Sequence, residues 1–471
     1  MTFRPDDPNK LRGKRVLLLG LGSRQGGVGV ARYLVEQGAE VRVTDLRSAE
    51  QLGGPLDDLS DLSIDFTLGK HDEDDIEWAD VVVRNPAVPA ESPWLALARE
   101  RGKRVEMEMT LFFRACPAPI VGVTGTKGKT TTTTLLSAML RERWPDSVLA
   151  GNMGVSALLE LPNIQSNVPV ALELSSFQLE ALDEHRLSPH VAVITNISPD
   201  HLDRYSAFAD YARIKGAIAR HQDMGDWFVV NAGDGEALAS IEKAVGNPIV
   251  FDTHRTIGAT PALWIDGHQF VANWEGKICD LGPIDGMRVP GDHSRLNALA
   301  AAGAALALGV APAQIRAGIA AFPGVPHRME YVTNIAGVEY INDTAATAPA
   351  AAVAALRAFA DRQVVVIAGG YDKQLPLEPL ADELAHSAQH VVLLAGTATP
   401  LLELLLQERG HAGLAGIAES MDAAVVMARD LAETGGVVLL SPGTASFGMF
   451  RDEFHRGEMF RAAVHALGGA K

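Results

Sequence analysis

The run of residues 120–131 carries groups that can bind the phosphates of a nucleotide. A short apolar strand ends in a glycine-containing turn, and Lys129 and Thr130 then open a helix. Backbone N–H groups in such a turn point at phosphate oxygens, and the helix dipole favours negative charge there. The Lys129 ammonium can reach the β and γ phosphates, and the Thr130 hydroxyl can hold Mg²⁺. The predicted ATP-binding residues of this run are Gly125, Thr126, Lys127, Gly128, Lys129, Thr130 and Thr131.

The match to the general phosphate-loop pattern is imperfect. That pattern has a glycine where Val123 stands, so Gly125 must supply the turn. The alternative is a strand–turn–helix junction without a ligand. A Gly-Lys-Thr sequence directly after a strand is typical of a phosphate loop, which favours nucleotide binding.

A second glycine-rich turn, residues 20–29, follows another apolar strand. It misses the spacing of a dinucleotide fingerprint because Gln25 stands at the third glycine position. NAD binding is therefore disfavoured, and a nucleotide-binding turn of another kind is favoured over a merely tight turn. Asp45 ends the next strand, where its carboxylate can meet ribose or uracil groups, and Arg47 can meet phosphate.

Apolar strands alternate with helical stretches along the whole chain, which is typical of the α/β class. A chain of 471 residues is too long for one hydrophobic core. We therefore expect three consecutive domains: a Rossmann-like domain over residues 1–116, a central domain like those of P-loop ATPases over 117–323, and a Rossmann-like domain over 324–471. Residues 252–290 are richer in glycine and turn residues, and we expect a small, less regular β insert there.

The composition limits the classes of partner. The net charge is −17, whereas a nucleic-acid interface needs a basic footprint. No apolar run approaches the roughly 20 residues that span a bilayer, and the polar N-terminus lacks the apolar stretch of a signal peptide. Cys116 and Cys279 give no disulfide framework and no metal cluster. We expect a cytoplasmic enzyme without nucleic-acid or membrane partners.

Several strings, in their order and spacing, resemble the Mur ligase family, whose members join amino acids to a cell-wall nucleotide precursor. The resemblance covers nearly the whole chain and points to the glutamate-adding members. Besides the phosphate loop in the form Gly-Thr-x-Gly-Lys-Thr, the strings are residues 151–154 (Gly-Asn-Met-Gly), 172–178 (Leu-Glu-Leu-Ser-Ser-Phe-Gln), 196–205 (Asn-Ile-Ser-Pro-Asp-His-Leu-Asp-Arg-Tyr), 324–330 (Gly-Val-Pro-His-Arg-Met-Glu), 342–343 (Asn-Asp) and 440–447 (Leu-Ser-Pro-Gly-Thr-Ala-Ser-Phe).

The resemblance implies a set of catalytic residues and metal ligands. Glu173 would be a Mg²⁺ ligand, and His201 would bind a second Mg²⁺ or the substrate. Lys215 falls where the family carries a lysine carbamylated by CO₂, which turns a cation into a carboxylate-like metal ligand. The expected catalytic residues are Lys129, Lys215 and His201. The expected metal ligands are Thr130, Glu173, His201 and Lys215 as its carbamate.

The resemblance also implies how the substrates bind. Arg328 presents a planar fork suited to phosphate, and Asp343 would meet the ATP ribose. The residues expected at the UDP-sugar are Gly22, Ser23, Asp45, Arg47, Gly69, Asn152, Ser175 and Gln178. The residues expected at the incoming amino acid are Thr347, Lys373 and Ser446.

The sequence departs from the family pattern at a few positions. Ala345 replaces a lysine, and Glu453 stands where an aromatic residue often packs near the glutamate. Ser294 replaces an asparagine at an expected ATP contact, and the first glycine turn is longer. Ala345 and Glu453 leave the identity and the stereochemistry of the amino acid open.

The implied activity is that of an ATP-dependent amide ligase. Its substrates would be ATP, glutamate (D-glutamate favoured) and UDP-N-acetylmuramoyl-L-alanine, and the reaction would pass through an acyl phosphate. Two Mg²⁺ ions are expected. The enzyme would be a monomer that acts in peptidoglycan precursor synthesis. The alternatives are a related ligase that uses L-glutamate or another amino acid, or one that polymerises glutamate on folate. A P-loop ATPase that switches a partner is a further alternative, and it would hydrolyse ATP without an acyl acceptor.

Overall fold

The structure is a computed structural model that describes residues 11–22, 25–152, 156–200, 204–255, 261–289 and 291–469. The chain divides into two compact units. The first holds the described residues up to Gly286 together with Arg295–Ala321, and the second holds Met287–Ser294 and the described residues from Phe322 onward. The predicted domain boundaries at residues 116 and 323 stay predictions.

The first sheet of the first unit is parallel, with the strand order β3-β2-β1-β4-β5. Its strands are β1 (Arg15–Leu19), β2 (Glu40–Asp45), β3 (Ile64–Leu68), β4 (Val81–Arg84) and β5 (Arg104–Met107). The helices of this region are α1 (Gln25–Glu36), α2 (Ala49–Leu52), α3 (Gly54–Asp57), α4 (Glu73–Trp78), α5 (Pro93–Glu100) and α6 (Glu108–Ala115). The strand order reverses between β1 and β4, and ligands of such sheets bind at the carboxyl ends of the strands beside this point.

The second sheet has nine strands in the order β14-β13-β12-β11-β10-β9-β6-β8-β7. Its strands are β6 (Ile120–Thr124), β7 (Leu149–Gly151), β8 (Val170–Glu173), β9 (Val191–Ile194), β10 (Trp227–Asn231), β11 (Asn247–Phe251), β12 (Ala262–Asp266), β13 (Gln269–Trp274) and β14 (Lys277–Pro283). The next helices along the chain are α7 (Lys129–Arg141), α8 (Ser176–Glu184), α9 (Phe208–Gly216), α10 (Gly235–Ala239), α11 (Asp292–Ala307) and α12 (Pro312–Ala321). Every residue of β6, β8 and β9 is buried, as continuous apolar strands in the middle of a parallel sheet require.

The sheet of the second unit has six strands in the order β15-β16-β20-β17-β18-β19. Its strands are β15 (Glu330–Ile335), β16 (Val338–Asn342), β17 (Val364–Ala368), β18 (His390–Leu394), β19 (Leu414–Ala418) and β20 (Val437–Leu440). Its helices are α13 (Pro349–Arg357), α14 (Glu378–Ser387), α15 (Thr399–Glu408), α16 (Met421–Leu431) and α17 (Glu453–Gly469). Only the edge pair of β15 and β16 is antiparallel within this sheet.

The predicted α/β class with three successive sheet-and-helix regions is confirmed. The small, less regular β insert expected at residues 252–290 corresponds to β12, β13 and β14, which form an antiparallel meander at the edge of the nine-stranded sheet, with one register shift between Phe270 and Val271. Glycines at the turns of this meander gave the sequence its irregular appearance. None of the helices in the described part of the chain is both long enough and apolar enough to span a membrane.

Candidate functional site

The site forms at one edge of the nine-stranded sheet. Strand β6 lies between β8 and β9 and runs parallel to both, so the carboxyl ends of all three strands meet at that edge. The phosphate loop follows β6, Glu173 ends β8, and Thr195 and Asn196 follow β9. Helix α7 starts at Lys129 and buries an apolar stripe, which fixes the direction of its N-terminus. The predicted strand–loop–helix arrangement is thus present in the structure.

Two glycines give the loop its shape. Gly125 has a φ of +149°, and a Cβ there would lie 1.9 Å from Thr195 Oγ1. Gly128 has a φ of +82°, and a Cβ there would lie 2.3 Å from Asn297 Oδ1. Any larger residue would meet both backbone strain and a steric clash. Gly125 therefore does supply the turn, as the sequence requires.

Asn196 holds the loop in place from the neighbouring strand. The backbone N–H of Thr126 donates to its carbonyl oxygen and the N–H of Lys127 to its Oδ1, both at 2.9 Å. In return, Asn196 Nδ2 donates to the Lys127 carbonyl at 3.0 Å. This role of Asn196 was not predicted from the sequence. Its position directly after a strand that pairs with β6 is the signal that could have revealed it.

The ammonium of Lys129 lies over the loop itself. Lys129 Nζ donates to the carbonyl oxygens of Gly125 and Thr126 at 2.9 and 3.0 Å. The positive charge therefore stands beside the loop N–H groups, where phosphate oxygens are expected. This placement suits a lysine that binds the phosphates of ATP.

Glu173 is a buried carboxylate that is only partly satisfied. Its side chain accepts a hydrogen bond of 3.0 Å at Oε1 from Asn152 Nδ2, and the residue is 3% exposed. Its Oε2 atom is buried and has no hydrogen-bond partner among the described residues. A buried charged oxygen without a partner is costly, and a hard divalent cation would satisfy it. Glu173 therefore has the chemistry of a Mg²⁺ ligand, and Mg²⁺ binding stays a prediction.

Lys215, on α9, is buried at the same sheet edge, beside the end of β6. It is 1% exposed, and its Nζ donates to Thr124 Oγ1 at 3.0 Å. Burial lowers the pKa of the Lys215 ammonium well below its usual value, and the nearby charge of Lys129 lowers it further against the opposing effects of Glu173 and Asp200. The lowered pKa makes the neutral amine, which is the form that reacts with CO₂, more accessible than in an ordinary lysine.

The predicted metal ligands are only partly described. Thr130 is the second residue of α7, and Glu173 and Lys215 lie at the same sheet edge, as described above. His201 falls outside the described residues. Within the described ranges, no group of three or more His, Cys, Asp or Glu side chains could hold a metal ion. A Mg²⁺ site here would therefore depend on ATP oxygens, on the Thr130 hydroxyl or on a carbamylated Lys215.

Asp45 organises the first glycine turn. Its Oδ2 accepts the backbone N–H groups of Leu21 and Gly22 at 2.9 and 3.1 Å, and its Oδ1 accepts the N–H of Arg47 at 2.9 Å. Burial alone would raise the pKa of Asp45, but the N–H donors of Arg47 and Gly22 and the Arg47 guanidinium outweigh burial and lower it. Gly69 lies next to this turn, since its N–H donates to the Arg47 carbonyl at 3.0 Å. The turn thus presents a fixed carboxylate, and contact with a UDP-sugar stays a prediction.

Two residues predicted at the UDP-sugar have a local structural role. Ser175 is the N-cap of α8, its N–H donates to Gln178 Oε1 at 2.9 Å, and the Gln178 N–H donates to Ser175 Oγ at 3.3 Å. This reciprocal pair is a capping box, which the Ser-x-x-Gln spacing itself indicates. Ser23, another predicted contact, lies outside the described residues.

Arg328 and Asp343 lie close together in the second unit. Positive φ values at His327 and Met329 turn Arg328 outward, and its side chain is exposed. Asp343 accepts the Ser441 hydroxyl at 2.8 Å and the Met329 N–H at 3.1 Å. Burial raises the pKa of Asp343 to about 7, against the opposing effects of Ser441, Met329 and the Arg328 charge.

Of the predicted amino-acid contacts, only Ser446 lines a small depression beside Gly370 and Phe447. Thr347 and Lys373 are not part of that lining. Arg456 also lines it, and this fully buried guanidinium donates to Thr344 Oγ1 and to the carbonyls of Thr344 and Thr444. Burial lowers the pKa of Arg456 to about 10, with Glu453 acting in the opposite direction.

Family models match most of the chain. Residues 14–106 match the Mur ligase MurD-like N-terminal domain, residues 123–305 the Mur ligase middle domain, and residues 327–443 the Mur ligase glutamate ligase domain. The chain is 50% identical over 474 residues to the UDP-N-acetylmuramoylalanine–D-glutamate ligase of Roseiflexus sp. (strain RS-1), covering 97% of this chain and 100% of the relative. It is 40% identical over 460 residues to the enzyme of the same name from Geobacter metallireducens, covering 98% and 99%.

Solved structures agree with the fold. The UDP-N-acetylmuramate-alanine ligase MurC of Thermotoga maritima has a TM-score of 0.57 and 22% identity, covering 97% of this chain and 100% of that one. MurF of Acinetobacter baumannii has a TM-score of 0.58 and 17% identity, covering 96% and 94%. At these identities the likeness concerns the fold alone.

Proposed function

Because this chain belongs to the Mur ligase family, we propose that it joins D-glutamate to UDP-N-acetylmuramoyl-L-alanine at the expense of ATP. The observation that carries the proposal is the meeting of three features at one sheet edge. These are the phosphate loop with Lys129, the partly satisfied carboxylate of Glu173, and the buried amine of Lys215.

The proposed reaction has two steps. A carboxylate oxygen of UDP-N-acetylmuramoyl-L-alanine attacks the γ-phosphorus of ATP, the bond to the bridging oxygen breaks, and ADP leaves with an acyl phosphate formed. The neutral amine of glutamate then attacks the acyl carbon, loses a proton, and phosphate leaves as the amide forms. Activation is needed because a free carboxylate is a poor electrophile.

The chain's main task in the first step is to bring two anions together. The loop N–H groups and Lys129 Nζ stabilise the negative charge of the transferred phosphoryl group, because the fold holds these donors in place before the reaction. Alignment of the two substrates can lower the barrier by about 7–11 kcal/mol. For Arg328 and Asp343, contact with ATP stays a prediction.

Glu173 would hold Mg²⁺ together with Thr130, His201 and carbamylated Lys215. When bound, Mg²⁺ supplies charge neutralisation at the phosphate oxygens. Support for Glu173 comes from its buried, unpartnered Oε2 atom. Support for the carbamate comes from the burial of Lys215, since its neutral amine can add to CO₂ with loss of one proton to give a carboxylate-like group.

The sites proposed for the sugar nucleotide and for the amino acid rest on different observations. The Asp45-braced turn with Gly22, Arg47 and Gly69 offers fixed polar groups for the sugar nucleotide. The amino-acid contacts proposed are Thr347, Lys373 and Ser446. D-Glutamate is proposed over L-glutamate because the full-length relatives carry that name, although Ala345 removes a lysine that would help an anionic substrate.

One experiment tests the proposed function. Purified enzyme is given ATP, Mg²⁺ and UDP-N-acetylmuramoyl-L-alanine with a panel of D- and L-amino acids, and ADP release is followed. We expect release with D-glutamate and little release with the others. Equal ADP release without any amino acid or sugar nucleotide would contradict the proposal and indicate an ATPase, while preference for another amino acid would contradict the substrate assignment.

A further inference from the structure

Glu180, on α8, joins three parts of the first unit. Its Oε1 accepts the Tyr205 hydroxyl at 2.8 Å. Its Oε2 accepts Nη2 of Arg204 at 3.3 Å and Nη2 of Arg84 at 3.5 Å. One carboxylate therefore connects the end of β4 in the first sheet with the segment that follows residues 196–200 beside the phosphate loop.

The arginine side of the link to the first sheet is buried. Arg84 is 2% exposed, and its Nη1 donates to the Val88 carbonyl at 2.9 Å. Within the described ranges, Glu180 is the carboxylate that lies within ion-pair distance of Arg84. Removal of one partner from a buried ion pair is strongly felt because it leaves an uncompensated charge. The position of Arg84 is therefore tied to that of Glu180.

A continuous set of contacts leads from Glu180 to the phosphate loop. The rings of Tyr205 and Tyr211 have centroids 5.4 Å apart. The Tyr211 hydroxyl donates to Thr126 Oγ1 at 3.2 Å, and Thr126 belongs to the loop. Arg204 is fixed in addition by Phe177, because its guanidinium lies 4.7 Å from the centre of that ring.

We propose that Glu180 is a positioning residue that couples the sugar-nucleotide side of the first sheet to the phosphate loop. A sugar nucleotide that fixes the carboxyl ends of β1 and β4 would fix Arg84, and through Glu180, Tyr205 and Tyr211 it would favour the nucleotide-binding arrangement of Thr126. The inference rests on the proposed function for the identity of the sugar nucleotide. By linkage, each ligand must then raise the affinity for the other by the same factor.

The test measures that factor in the full chain. A non-hydrolysable ATP analogue with Mg²⁺ is titrated by calorimetry in the absence and presence of UDP-N-acetylmuramoyl-L-alanine. For the unchanged protein we expect the sugar nucleotide to raise analogue affinity by about fivefold or more. Glu180→Gln should bring this ratio close to one while each ligand alone still binds. Tyr205→Phe removes a single hydroxyl and keeps the ring. It therefore tests the same link if Glu180→Gln fails to fold.

Glu184→Gln is the matched control. Glu184 lies one turn further along α8 and pairs with Arg99 of α5 at 3.2 Å, but this pair is exposed, and within the described residues Glu184 makes no hydrogen bond to Arg204 or Tyr205. The charge of Glu184 acts on Arg84 more weakly than that of Glu180, so the coupling ratio of Glu184→Gln should stay close to that of the unchanged protein. A ratio of one in the unchanged protein, or a full ratio in Glu180→Gln and Tyr205→Phe, would overturn the inference. Failure of the proposed function is a separate result, namely no ADP release with D-glutamate although both nucleotides bind.

Discussion

Lys215 Nζ lies 3.0 Å from Thr124 Oγ1, and the Thr124 hydroxyl in turn donates to the Leu174 carbonyl at 2.7 Å. This pair places a buried amine at the carboxyl end of β6, immediately before the phosphate loop. A lysine kept as an ammonium there would repel Lys129, whereas its carbamate would add negative charge where Mg²⁺ is proposed to bind.

We expect Lys215→Ala to lower the rate of ADP release by at least about 100-fold, the loss typical of one preorganised electrostatic group. Added formate or acetate should restore part of the rate, because a small carboxylate can occupy the place of the carbamate. ADP release at increasing formate concentration is the measurement. Lys277→Ala, which changes an exposed lysine of the same unit, should show the unchanged rate and no response to formate. Full activity of Lys215→Ala without added carboxylate would disprove the carbamate role.

Lys129→Ala should separate phosphate chemistry from sugar binding. The side chain lies over the loop carbonyls, so its loss should lower acyl-phosphate formation by about 10²–10³-fold. The affinity for the sugar nucleotide, measured by calorimetry without ATP, should stay unchanged. An equal loss of both properties would argue against separate sites.

Gly125→Ala should abolish ATP binding. A Cβ at this φ of +149° would lie 1.9 Å from Thr195 Oγ1, so the loop must distort or the chain must bear about 1–3 kcal/mol of strain. Calorimetric titration with ATP and thermal unfolding report the two effects. Gly235→Ala is the control, since a Cβ there meets no atom within 4 Å. Normal ATP affinity in Gly125→Ala would show that the loop shape is not required.

Glu108 predicts a pH dependence of stability. Its Oε1 accepts hydrogen bonds from Ser156 Oγ at 2.6 Å and the Ala157 N–H at 2.7 Å, yet burial dominates and raises its pKa from 4.5 to about 7. The folded protein keeps this proton up to about pH 7, whereas the unfolded chain releases it near pH 4.5. This residue's contribution to the free energy of unfolding therefore falls as the pH rises through that window, by about 3 kcal/mol, and is level above it.

Glu108→Gln should remove this contribution, because a neutral amide oxygen can accept both hydrogen bonds. Urea unfolding at pH 5 and pH 8 should show a smaller loss of stability with rising pH in the variant than in the unchanged protein. Glu100→Gln, at an exposed position of α5, should leave the pH dependence as it is. The same slope in Glu108→Gln and the unchanged protein would contradict the prediction.

Local patterns predicted much of the fold. Asp45 ends β2 as expected, and the glycine turn before α7 lies where the Gly-Lys-Thr string indicates. For β12–β14, turn glycines such as Gly267 and Gly276 indicated a β insert, but its addition to the nine-stranded sheet depends on the pairing of β12 with β11, which local sequence does not reveal.

The site was predicted less completely because many of its contacts join distant parts of the chain. Nothing in the residues around Arg84 indicates that its partner is Glu180, and the same holds for Tyr211 and Thr126. The Ser175–Gln178 capping box, by contrast, could be predicted from the Ser-x-x-Gln spacing alone, because both of its hydrogen bonds are local.

The central place of β6 has a consequence for the order in which the protein folds. Val121 pairs with Ala171 on one side and with Val191 on the other, so both neighbours arrive only after long loops have closed. The meander pairs strands that are adjacent in sequence and can form early. We expect pulse-labelling hydrogen exchange during refolding to protect amides of β13 before those of β6, so that the phosphate loop acquires its shape among the last parts of its sheet.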